Sequence, residues 1–152
     1  MIYFAFVYSQ LSYGIKIYGN THSTYLNSLM VLNNKLLRIL QNVARDTHVI
    51  DLYYNYNTLA LPDLHKYYIL LFMHRFFHHK ELPHIFSTYF VQNAEIHSHN
   101  TRTKEEPHVK LFSSTFGQRS IKYKGPHLWS SLPEQFISFS STIFHLEIFG
   151  QF

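Results

Sequence analysis

Few residues in this 152-residue chain are spaced for bond-making chemistry. Phosphoryl transfer on two Mg²⁺ ions needs carboxylates brought together on a hairpin. The aspartates are Asp46, Asp51 and Asp63, none adjacent to another, and Glu105-Glu106 is the one acidic pair. That pair sits beside Arg102 and Lys104, with no apolar strand around it, and reads as a hydrated surface. Gly14, Gly19, Gly117, Gly125 and Gly150 are too dispersed for a phosphate-cradling loop, and there is no Gly-x-Ser-x-Gly elbow. A Ser/His/Asp triad is a spatial arrangement, and the abundance of Ser and His accounts for those residue types without one. His74 and His78 are four apart and could share a helix face, and His97-x-His99 could add nitrogens. With no Cys, no His-Glu-x-x-His and no third ligand at a diagnostic spacing, the histidines read as solvent-edge or partner-edge groups. The expectation is no catalytic residue, no metal and no cofactor.

Binding chemistry is better represented. Arg102, Lys110, Arg119, Lys122 and Lys124 alternate with Phe112, Phe116, Tyr123 and Trp129. Cationic side chains neutralise phosphates, and aromatic faces stack on unpaired bases. From His97 to Trp129 there are six basic residues against two acidic ones, the whole of the chain's formal excess of +4. The other seven basic residues are balanced by seven acids. Such clustering marks a local anion-facing patch. RNA or single-stranded DNA is the partner this chemistry fits. The competing reading puts the aromatics in the core and the lysines on an ordinary wet face. Trp129, between Gly125-Pro126 and Leu132-Pro133, is read as a structural anchor rather than a base platform.

The elements that must carry these residues are mostly helices. The chain is expected to be a single domain or domain fragment, with a helical part over 1–91 and a basic, aromatic tail over 92–152 that ends in a helix. A first helix spans about residues 2–17 and stops at Gly19-Asn20. Thr21 to Thr24 offers caps for the next. Along it Leu29, Leu32, Leu36, Leu40 and Val43 recur at three- and four-residue spacing, with Asn33, Asn34, Lys35, Arg38 and Gln41 on other faces. A short turn covers Ile50 to Asn55. A long helix starts near Pro62-Asp63, is apolar around nearly its whole circumference, and ends at Pro83. A brief helix fits residues 84–91. Short strands or extended loops fit Val109, Leu111 and Phe112, and again Ser120 to Tyr123. Residues 126–131 fit a helical turn, and Phe136 to Phe149 a final amphipathic helix. The fold class is mostly α, with an irregular, short-stranded or looped C-terminal segment.

Composition sets the outer bounds. Hydrophobic residues are 46%, aromatic 18% and charged 14%, with 12 Tyr and 14 Phe against one Trp. Charge is scarce for a soluble domain, so this aromatic surface must pack on itself or on a partner. The absence of Cys excludes disulfides, thiolate metal sites and Cys nucleophiles. The apolar opening stretch lacks a basic n-region and breaks at Ser9-Gln10, so neither a signal peptide nor a membrane span is expected there.

Three tail segments also carry a resemblance. They are Ile96-His97-Ser98-His99-Asn100-Thr101-Arg102, Phe116-Gly117-Gln118-Arg119-Ser120-Ile121 and Gly125-Pro126-His127-Leu128-Trp129-Ser130-Ser131-Leu132-Pro133. Their order resembles the C-terminal region of reverse transcriptases from LINE-type (non-LTR) retrotransposons of the Jockey kind. Upstream, the segment from Tyr8 to Thr21, the run Leu32 to Ile39 and the aromatic run Tyr67 to Met73 are similar to that family in the same order. His99 stands where the family often has Tyr, Ser130 where it has Asn, and Asn33-Asn34 where Gln-Lys is typical. The resemblance implies a region downstream of the palm and thumb of an RNA-directed DNA polymerase. It would hold template RNA or target DNA, have the upstream polymerase region as a partner, and work in the cytoplasm or nucleus. A free-standing helical nucleic-acid-binding module is the alternative, and a membrane-associated aromatic helical protein a weaker one.

Overall fold

The computed structural model describes residues 2–79, 82–99, 101–133, 136, 144 and 148–150. Among them the protein is mostly α. A π-helical turn, Tyr3–Tyr8, runs into α1 (Ser9–Tyr18), followed by α2 (Ser23–Gln41), α3 (Val49–Asn55) and α4 (Leu61–His74). A second π-helical turn, Arg75–His79, prolongs α4, and a 3₁₀ turn follows at His84–Phe86. Then come α5 (Asn93–Ile96), α6 (Thr115–Arg119) and α7 (Ile121–Ser130). Most of the final helix expected from Phe136 to Phe149 lies outside the described residues. No helix among the described residues is long and apolar enough to cross a membrane. The chain forms two compact units, Met1–His65 and Lys66–Gln151, with the boundary inside α4.

In the first unit the helices obey their local chemistry. His22 caps α2, its Nδ1 accepting from the Thr24 N–H at 3.3 Å. Asn42 ends α2 at φ 52°, a left-handed position that Asn tolerates better than most residues. The core joins Tyr3, Leu37, Leu52 and Tyr53, with Phe4, Tyr8 and Tyr56 packed around it. Tyr3 meets Phe4 and Tyr56 edge-on at 5.4 and 5.5 Å.

A polar chain runs through that core. The Tyr3 hydroxyl donates to Asn33 Oδ1 at 3.2 Å, and Asn33 Nδ2 donates to the Tyr53 hydroxyl at 3.0 Å. The Tyr53 hydroxyl donates in turn to Asn34 Oδ1 at 2.6 Å. Asn33 is only 4% exposed, so the helix turns an amide inward. This overturns the expected phase of α2. Leu37 and Asn33 are buried, while Leu32 is 62% exposed, and Leu40 and Val43 are exposed too. Tyr25, Leu32 and Ile39 thus form an apolar stripe open along α2.

Burial pushes the Tyr3 and Tyr53 hydroxyls above the ordinary value of 10.0, and their hydrogen bonds to Asn33 pull back by less. A raised phenol favours the folded state in its neutral form. That contribution is complete below 10.0 and is lost as pH rises through the raised values. The first unit should therefore hold its stability from pH 7 to 9 and lose it above pH 10. Urea unfolding followed by circular dichroism checks this. Substituting both tyrosines by Phe should flatten the alkaline decline, and an unchanged decline would assign it to other groups.

The second unit is built on the distal half of α4. Tyr67, Ile69, Leu70, Met73 and His74 are buried, together with Phe90, Trp129, Phe136, Phe144 and Ile148. Gly125 lets α7 lie against α4, since a Cβ there would stand 2.7 Å from Met73 Sδ. The strand alternative for Ser120 to Tyr123 is corrected: Ser120 is the N-cap of α7 and its carbonyl accepts from the Lys124 N–H at 3.0 Å. Gly125-Pro126, a pair that punctuates most helices, is buried inside this one, where close packing outweighs local propensity. No residues from 109 to 114 form a strand.

Candidate nucleic-acid interface

All five sequence-derived contact residues lie in the second unit, on three local scaffolds. Arg102 is exposed on a turn over residues 101–107. That turn is tied to α5: Asn93 N donates to Glu106 O at 3.0 Å, Ala94 N to Lys104 O at 2.8 Å, and Asn93 Nδ2 to Thr103 O at 2.9 Å. His108 N closes the loop on Val91 O at 2.7 Å. Short polar residues make such local bonds readily, which is why this stretch turns rather than continuing as a helix.

Lys110 is exposed in the following extended segment, its Nζ 5.8 Å from the Phe112 ring. Phe112 is seated on Gly117 of α6, where a Cβ would meet its ring at 2.6 Å. The helix begins at Ser114, whose hydroxyl accepts from the Gly117 N–H at 3.2 Å.

Arg119, Lys122 and Lys124 fall at the α6–α7 junction. Lys122 is exposed and its Nζ lies 4.4 Å from the centre of the Tyr89 ring, a cation–π contact. Arg119 and Lys124 are half-buried and close enough to repel. Burial first, and the Arg119 charge second, hold the Lys124 ammonium below the usual lysine value. Its neutral form is thus favoured on folding: stability rises as pH climbs through the lowered value toward 10.5 and is reduced below it.

Of the four interleaved aromatics, Phe116 alone is exposed. Phe112 and Tyr123 are half-buried and face each other at 6.4 Å. Trp129 is 3% exposed, with Phe77 at 5.5 Å, Phe144 at 5.9 Å, and His74 and His78 both at 6.3 Å between ring centres. His74 and His78 do share a face, 4.6 Å apart, but the His74 ring is buried and stacked on Phe144 at 4.1 Å. Among the described residues no three His, Cys, Asp or Glu side chains are grouped to hold a metal ion.

The sequence reading missed Tyr89, which the fold brings under Lys122 from 33 positions upstream. No spacing rule marks such a pair. Comparison with models of known families, with curated proteins and with solved structures returns no match to this chain.

Proposed function

We propose that this chain is a non-catalytic C-terminal region of a LINE-type reverse transcriptase that binds single-stranded RNA through its second unit. The ordered tail motifs support the family reading. The observation that carries the binding role is the set of exposed cations, Arg102, Lys110 and Lys122, held on ordered turns and rings within one unit. Cations carried on ordered backbone bind phosphate with less ordering cost than those on a free chain, and a neighbouring exposed ring such as Phe116 gives a base a surface to stack on. The open apolar stripe of α2 gives the first unit a surface to lay against the upstream polymerase region. The acids needed for polymerisation would reside there.

Matched charge removal tests the role. Replacing Arg102, Lys110 and Lys122 together by Gln should weaken binding to single-stranded RNA. The salt slope should flatten by about 0.7 for each phosphate that is no longer neutralised. Replacing the exposed Lys16, Lys35 and Lys66 should change both far less. Fluorescence anisotropy across a salt series measures the two effects. Equal losses from the two sets would refute a localised interface. Primer extension by the same protein with Mg²⁺ should stay at background.

A further inference from the structure

A cavity of about 400 Å³ opens in the second unit, and nothing in the charge-based interface uses it. Its walls include Phe76, Phe77, Phe86 and Phe90, with Gln92 and Glu95 among the polar lining groups. That volume lies within the range of small-ligand sites, roughly 300–1,000 Å³. The rings brace one another edge to face: Phe76 meets Phe77 and Phe90, each at 5.1 Å. Phe90 is also held by Phe72 at 6.1 Å, and Phe86 by Phe72 at 5.5 Å. The rings are therefore braced before any ligand arrives.

The polar edge is fixed as well. Gln92 and Glu95 form a reciprocal capping box, in which Glu95 Oε1 accepts from the Gln92 N–H at 3.3 Å. The Gln92 backbone is bridged to Pro107, at the end of the turn that carries Arg102. On another side, Tyr89 touches Phe86 at 5.6 Å and Phe90 at 5.1 Å, and Lys122 sits on Tyr89. Among the described residues the cavity thus has aromatic walls, one carboxylate on its lining, and a cation carried by each of two neighbouring segments.

We infer that this cavity receives one unpaired guanine base of the bound RNA, an inference that rests on the RNA-binding reading above. A flat heterocycle suits a cavity walled by phenylalanine rings. An ionised carboxylate only accepts hydrogen bonds. Guanine offers it two adjacent donors, N1–H and the exocyclic N2 amine. Adenine and cytosine offer one amine beside a bare ring nitrogen that repels the second oxygen, and uracil flanks its N3–H with carbonyls, so only guanine gives a carboxylate two adjacent donors. The Gln92 amide can donate to guanine O6. Lys122 and Arg102 then take the flanking phosphates. Unstacked bases read on their Watson–Crick edge are the usual targets of sequence-specific RNA recognition.

The test uses the full chain and labelled RNA octamers: all-uridine, and all-uridine with one central G, A or C. The single G should tighten binding about tenfold over all-uridine, the order expected of a bidentate base contact. A and C should give little gain. Glu95→Gln, which keeps the capping box, should erase the G advantage without weakening binding to all-uridine. Equal, salt-dependent binding of all four octamers would overturn the pocket inference and leave the RNA reading standing. Binding of none would overturn both. A G advantage that survives Glu95→Gln, or an equal advantage for A or C, would overturn guanine recognition by Glu95.

Discussion

Trp129→Ala should lower the unfolding free energy of the second unit by about 3–5 kcal/mol. The indole is almost wholly buried and touches Phe77, Phe144 and two imidazoles, so its removal leaves a large void walled by rigid rings. The neighbours cannot close that void cheaply, because His74 is itself stacked on Phe144 and Gly125 keeps α7 pressed against Met73. Trp129→Phe retains part of the ring volume and should cost less than half as much. Urea unfolding followed by far-ultraviolet circular dichroism measures both. An alanine cost below about 1 kcal/mol, the level of ordinary surface changes, would remove Trp129 from the framework that supports the basic segment.

Asn33→Ala should cost the first unit about 2–3 kcal/mol. The side chain accepts from Tyr3 and donates to Tyr53, so its removal strips a partner from two buried hydroxyls at once. Tyr53 keeps its bond to Asn34, which limits the damage there. Tyr3→Phe in the Asn33→Ala background should recover part of the stability, since the stranded hydroxyl disappears with it. A double-mutant cycle over these positions gives the coupling directly. Additive costs would mean that the two groups stabilise the unit independently.

Periodicity in the sequence was enough to place α1 to α4 within a few residues, because their spacing, Gly19-Asn20 and Pro62-Asp63 are local signals. The inward face of α2 was not legible. The leucine spacing proposes one face, but the partners that make Asn33 burial favourable, Tyr3 and Tyr53, lie 30 and 20 positions away. α7 was hidden for a related reason: Gly125-Pro126 signals a break, and only contact with Met73 and Phe90 shows why a side-chain-free position is needed there. In the candidate interface, charge clustering marked the segment in which Arg102, Lys110 and Lys122 are exposed. The aromatic cavity was invisible, since Phe76 and Phe90 are too far apart in sequence to reveal that their rings meet.

The π-helical turn at Arg75–His79 bears on how relatives of this chain are compared. Each turn of this kind accommodates one residue more than an α turn, a phase difference of about 100° from an α-helix of the same number of residues. Here the turn itself carries Phe76 and Phe77 of the cavity wall, just past Met73, which meets α7. A homologue one residue shorter in this stretch would align with a gap in mid-helix. Such a gap would record the absence of the π turn rather than a trimmed loop, and it would keep downstream positions in phase, whereas an ungapped match would set side chains of different direction against one another.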